Sequence, residues 1–235
     1  MIIIAGDSWG VGEWSLDYIN THTGLQQYLE DDGHTVLNVS VGGSSLFGAC
    51  NALSCCLYIL KALKLDHNIT NVFLFQTEWH REANLDITKD TEFNIEYIHR
   101  SLSWHYNRFS EIAQKYNITI GLIGGAGDVI WLDRFANEYP GLYIACQSMI
   151  NLCINDNHRI ANPLYSLIYP AKLIETLNNI SLKNKQFLID QMELTQNRRK
   201  EMKQLLYYFG PDSIHANRNG HKKLYNFLKE QQILT

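Results

Sequence analysis

An α/β fold, with a parallel sheet carrying helices on both faces, is what these residues predict, and three observations lead there. Ile2, Ile3 and Ile4 form an unbroken β-branched run, the mark of a strand buried on both sides. Short apolar segments with strand character alternate with longer helical ones along most of the 235 residues. Turns rich in glycine follow several of the strand segments, including Gly6-Asp7-Ser8, Gly42-Gly43-Ser44 and Gly124-Gly125. In open α/β sheets the ligand crevice is built from the loops at those carboxyl ends.

The elements follow in order. After the Ser8 turn, Trp9 to Thr23 is rich in glycine and polar residues and shows no clear period; a helix is expected from Gly24 to Asp32, stopped by Gly33. Thr35 to Ser40 alternates into a second strand, and a mostly apolar helix spans about Phe47 to Leu65. Val72 to Phe75 is the third strand, ending in Gln76-Thr77-Glu78-Trp79-His80-Arg81. Residues 82–91 are polar and loop-like, and Glu92 to Tyr116 carries the spacing of a long helix. Ile118 to Ile123 and Leu142 to Ala145 complete five strands. From about 147 to 208 the pattern turns mostly helical, with Ser148 to Asn155 as one helix and Leu182 to Tyr208 as another. This insertion in an otherwise single domain over 1–235 is a candidate lid or recognition element. A final helical run covers His221 to Gln231, with His221 itself expected on the surface.

Composition narrows the partners. With 19% charged residues and a net charge of −4, nothing favours nucleic acid or an anionic membrane as a partner. No segment approaches the ~20 apolar residues of a membrane span. The strand segment starts directly after Met1, which leaves no room for a signal peptide, so a cytoplasmic location is expected. The five cysteines lack zinc-site or redox spacing and are expected to be buried thiols, with neither metal nor cofactor required. Nothing in the sequence fixes an oligomeric state.

The chemistry comes from two distant segments. Ser8 sits on the turn after the first strand. Near the other end, Pro211-Asp212-Ser213-Ile214-His215 places a carboxylate and an imidazole three positions apart. A serine hydroxyl becomes a good nucleophile when a base takes its proton, and the base works best when a carboxylate fixes its tautomer. Gly43 has a mechanical reason to lie nearby, because a backbone N–H can approach an oxyanion only where no side chain blocks it. Taken singly, each motif also has an ordinary structural reading: a turn at Ser8, a helix cap at His215, a Gly-Gly turn at Gly43.

Together the motifs resemble the GDSL, or SGNH, hydrolase family. Gly6-Asp7-Ser8 resembles its nucleophile block, Asn38 to Gly43 its glycine-bearing second block, and Asp212 to His215 its closing DxxH block, in the family's order and over nearly the whole chain. The resemblance implies a three-layer α/β/α sandwich around a five-stranded parallel sheet of flavodoxin-like strand order. It implies Ser8 as nucleophile, His215 as general base, Asp212 as its orienting carboxylate, and the N–H groups of Ser8 and Gly43 as oxyanion donors. The expected activity is hydrolysis of carboxylic esters through an acyl-enzyme on a small-molecule or carbohydrate substrate.

The family's third block, GxND, is where this chain departs. Alignment of the strands sets Glu78 against the family's oxyanion-donating Asn, and an ionised carboxylate cannot donate. Gln76 or Thr77 is the expected replacement donor, with His80 or Arg81 as a cation within reach. Among tryptophans near strand ends (Trp9, Trp14, Trp79 and Trp131), Trp9 and Trp79 are the better candidates for stacking on a sugar ring, which favours O-acetyl groups on carbohydrate as substrate. Two alternatives use the same residues: an inactive module that binds glycan or protein in the crevice, and an O-acyltransferase. Rival dinucleotide, phosphate-loop and zinc-deaminase motifs are each incomplete.

Overall fold

Ile2–Ala5 forms the strand that its β-branched run demands (β1), and all four residues are fully buried. The computed structural model describes residues 1–14, 19–76, 95–125, 129, 138–154 and 215–234. After β1 come a short helix Ser8–Val11 (α1), a hairpin of Glu13–Trp14 (β2) and Asn20–His22 (β3), the helix Leu25–Asp31 (α2) and the strand Val36–Asn38 (β4). The helix Leu46–Ala62 (α3), the strand Asn71–Gln76 (β5), the helix Ile95–Tyr116 (α4) and the strand Ile120–Gly124 (β6) follow. The strand Leu142–Cys146 (β7), the helix Met149–Ile154 (α5) and the closing helix Arg218–Glu230 (α6) complete the described elements.

The described strands build a five-stranded sheet in the order β4-β1-β5-β6-β7, with every neighbouring pair parallel. With the hairpin set aside, that is the 2-1-3-4-5 order of flavodoxin-like sheets, as expected. Period-two alternation divides the core into two layers. Ile3 and Ala5, with Val72 and Leu74, pack against Leu53 and Leu57 of α3 and Tyr106 and Phe109 of α4. Ile2 and Ile4, with Phe73 and Phe75, pack against Leu25 and Leu29 of α2, Met149 of α5 and Leu224 of α6. The molecule is therefore a three-layer α/β/α sandwich.

Three expectations are corrected. The stretch from Trp9 to Thr23 holds a helical turn and a hairpin whose pairing shifts register between Glu13 and Trp14, so its two-residue strand shows no alternation to read. His221 is fully buried, because it shares a helix face with Leu224 and Leu228. Cys55 is exposed while Cys50, Cys146 and Cys153 are buried. Of the expected insertion, α5 is described and residues 155–208 lie outside the described residues. Among the described residues no helix is long and apolar enough to cross a membrane.

Candidate active site

The turn after β1 is shaped by sterics. Gly6 has φ +139°, and a Cβ there would stand 2.5 Å from the Phe75 carbonyl oxygen, so only glycine lets the chain leave β1 this close to β5. Asp7, fully buried, then caps α1 by accepting from the Trp9 N–H at 3.1 Å. Ser8 is the first residue of that helix, so its own N–H has no intrahelical carbonyl to bond.

His215 arrives from the far end of the chain just before α6. Asn217 caps that helix, accepting from the N–H groups of Asn219 and Gly220 at 2.9 and 3.2 Å. Arg218 is tied to the hairpin: its backbone N–H and its Nε donate to Glu13 Oε2 at 2.8 and 3.0 Å, and its carbonyl accepts from the Tyr28 hydroxyl at 2.9 Å. Burial pushes the Glu13 carboxyl up, but the hydrogen bonds and charge of Arg218 outweigh it and hold Glu13 below the usual carboxylate range. The start of α6 is thus clamped to the hairpin and to α2.

The result is a contact across 207 positions of sequence. Ser8 Oγ lies 2.7 Å from His215 Nε2, and the hydroxyl donates whenever that nitrogen is unprotonated. The imidazole sits between two indoles, 5.7 Å from Trp9 and 6.3 Å from Trp14 between ring centroids. Trp14 Nε1 also donates to the Ser8 carbonyl at 2.9 Å, and its ring lies against Gly42. Trp14 therefore links the nucleophile turn, the histidine and the glycine turn. Trp14→Phe keeps most of the apolar contact and removes the donor; it is expected to cost about 1 kcal/mol, read as a lower urea midpoint at unchanged m value.

The second glycine turn is anchored to the first. The Val41 N–H donates to the Gly6 carbonyl at 3.0 Å, and the Ser44 N–H closes a turn on the Val41 carbonyl at 3.0 Å. Gly43 occupies the left-handed position of that turn, φ +74°, with open space where a Cβ would be. Asn38 supports the arrangement, its Nδ2 donating to the Gly10 carbonyl at 2.9 Å and its Oδ1 accepting from the Ser40 N–H at 3.0 Å. Gln76 ends β5 two residues beyond the Ala5–Leu74 pair, level with the turn bearing Ser8. Its Oε1 accepts from the Tyr106 hydroxyl at 2.5 Å, which fixes one end of the carboxamide toward α4.

The expected substrate-stacking role does not fit Trp9, which is 1% exposed and packed against Gly125 and His215 in the core. The helical turn that begins at Ser8 folds the next side chain inward. Trp14, half-buried at the mouth, is the indole that the site presents instead. Asp212, Thr77, Trp79, His80 and Arg81 lie outside the described residues, as do Glu78 and Trp131. The roles of Trp14 and Tyr106 had no motif to announce them, while Asn38 opens the glycine-bearing block that the sequence already singles out.

A serine on the turn after the first strand of a 2-1-3-4-5 sheet, bonded to a histidine that precedes the last helix, combines the topology and the order of parts. The fold has the strand order that the resemblance to GDSL/SGNH hydrolases implies. No protein-family model matches the chain, and no curated protein does. Among solved structures the chain is similar to the psychrotrophic esterase EstA from Pseudoalteromonas sp., at 13% identity and TM-score 0.45 over 99% of this chain and 96% of that one. It is similar to the acetyl xylan esterase AlAXEase at 17% identity and TM-score 0.40, covering 98% of each chain. The lipase/acylhydrolase from Enterococcus faecalis is similar at 14% identity and TM-score 0.37, over 97% of this chain and 93% of that one.

Proposed function

We propose that the protein is a serine hydrolase of carboxylic esters, working through an acyl-enzyme on Ser8. The observation that carries this reading is the 2.7 Å contact between Ser8 Oγ and His215 Nε2. As an acyl carbon approaches, Oγ attacks and the hydroxyl proton passes to Nε2, giving an imidazolium. Asp212, three positions before His215, is the carboxylate assigned to orient that ring. The N–H groups of Ser8 and Gly43 receive the developing oxyanion, with the Gln76 carboxamide as a further donor in place of the family's Asn. The imidazolium returns its proton to the leaving alcohol oxygen. Water then attacks the acyl-enzyme, its proton taken by His215, and releases the acid with Ser8 restored.

Acetyl or other short acyl esters suit the reading, and Trp14 is the aromatic face available to an alcohol portion such as a sugar. The test is hydrolysis of a short-chain nitrophenyl ester by the wild type and by Ser8→Ala. Turnover confined to the wild type supports a serine esterase, and equal rates in both oppose it.

A further inference from the structure

On the face of the sheet opposite α2 and α6, α3 and α4 share an outer surface that does not look like solvated surface. Phe47, Tyr58, Ile59, Leu63 and Trp104 are each at least half exposed, Tyr58 at 69%. Most of α3 is apolar on every side, a pattern that belongs to a helix covered all round. Its inner residues Leu46, Leu53 and Leu57 meet the sheet, while Cys55, Tyr58 and Ile59 face outward. Between the two helices runs an open groove of about 440 Å³ lined by Cys55, Tyr58, Ile59, Arg108, Lys115 and Tyr116.

We propose that this face joins two copies of the chain in a two-fold dimer. The area fits that occupant. The five exposed apolar side chains present roughly 600 Å² together, at the top of what a monomer leaves as one patch. A standard interface buries ~800 Å² per partner, and the rim side chains around the groove make up the remainder. The charges fit as well, because a two-fold interface must be self-complementary. Glu111 and Lys115 stand one turn apart on α4 and belong to the same groove. A two-fold axis passing between them sets each Lys115 against the Glu111 of the other copy, twice.

The rim is already ordered for this. Arg108 Nη1 holds Glu111 Oε2 at 3.0 Å, and its guanidinium lies 6.0 Å from the Trp104 ring, which stacks on Phe47. At the other end the Lys61 and Lys115 ammonium groups lie 5.7 and 5.2 Å from the Tyr116 ring. Side chains held in place in the free protomer lose less entropy on association.

The experiment is sedimentation velocity on the full chain over a dilution series, paired with the rate of maleimide labelling at Cys55. The wild type is expected at twice the protomer mass at tens of µM, with Cys55 labelling slowed in proportion to the dimer fraction. Tyr58→Glu, at a position exposed in the protomer, is expected to weaken association at least about 30-fold and to restore fast labelling. Lys115→Glu, which sets like charges across the axis, is expected to weaken it with an unchanged far-UV circular dichroism spectrum. A monomer at every concentration overturns the proposal whether Cys55 labels fast or slowly, slow labelling meaning that the chain covers its own groove. A dimer that survives both substitutions assigns association to another face and overturns it equally.

Discussion

Replacing Ser8 with alanine is expected to lower kcat/KM for a short-chain ester by about 10⁴-fold or more, with the urea unfolding midpoint unchanged. The loss is that large because the hydroxyl supplies the bond that forms, so none of the other groups can carry the acyl transfer; what survives is binding and the oxyanion donors acting on water. Stability is spared because Ser8 Oγ contributes one contact, to His215, on a residue whose backbone is held by the Asp7 cap and by Trp14. His215→Ala is expected to fall within a factor of about ten of the Ser8 variant. The double variant is expected to lose little more, since the two groups act as one unit. Steady-state kinetics beside chemical denaturation checks both halves, and a midpoint that falls with the activity would attribute the loss to folding.

The second large effect is in stability against pH. His221 is fully buried on the inner face of α6, with Gly24 against its ring and Phe75 6.4 Å away between centroids. Burial, and then the charge of His22, pull its pKa down to about 4, with the Gly12 backbone opposing the shift. In the unfolded chain a histidine takes up a proton near pH 6.5. Between those two values the unfolded state binds the proton and the folded state does not, so stability is whole above about pH 6.5 and falls as pH drops toward 4. At ~1.4 kcal/mol per unit the loss is about 3 kcal/mol.

Glu13 acts in a lower window. Its depressed carboxyl stabilises the fold above the unfolded glutamate value near 4.3, and that contribution disappears as pH falls through the folded value. The two are separable by substitution. His221→Phe, similar in size and without a proton to bind, is expected to flatten the pH 6.5 to 4 slope of the unfolding free energy. A slope identical to that of the wild type would show that His221 is not the group responsible.

Much of this architecture is written locally in the sequence, and the exceptions have physical causes. The β-branched run at Ile2–Ile4, the apolar stretch ending at Gln76 and the period of α4 each dictate their element without help from the rest of the chain. The hairpin from Glu13 to His22 is not legible, because its strands are too short to alternate and a bulge breaks their register. What holds it is the Glu13–Arg218 ion pair across 205 positions, a contact that no local window contains. His221 read as surface because histidine is polar, while the phase it shares with Leu224 and Leu228 points it inward.

The candidate site divides in the same way. Ser8 and His215 were legible because each sits on a short pattern at a strand or helix end. That Ser8 and His215 meet is a property of the sheet order and of the clamp at the start of α6. Trp9 and Trp14 are five residues apart, and adjacency to Ser8 favoured Trp9 as the stacking face. Only the helical turn at Ser8 sends the first into the core and leaves the second at the mouth.

Reaction with an alkyl fluorophosphonate reads the Ser8–His215 pair itself, since attack by an activated serine on phosphorus expels fluoride and leaves a stable adduct of known mass. Intact and peptide mass spectrometry are expected to find one adduct per chain, on Ser8, absent in Ser8→Ala and formed about 10²–10⁴ times more slowly in His215→Ala. A wild-type protein that stays unmodified at millimolar reagent, or one that carries the adduct elsewhere while Ser8 remains free, would contradict the assignment of Ser8 as a nucleophile.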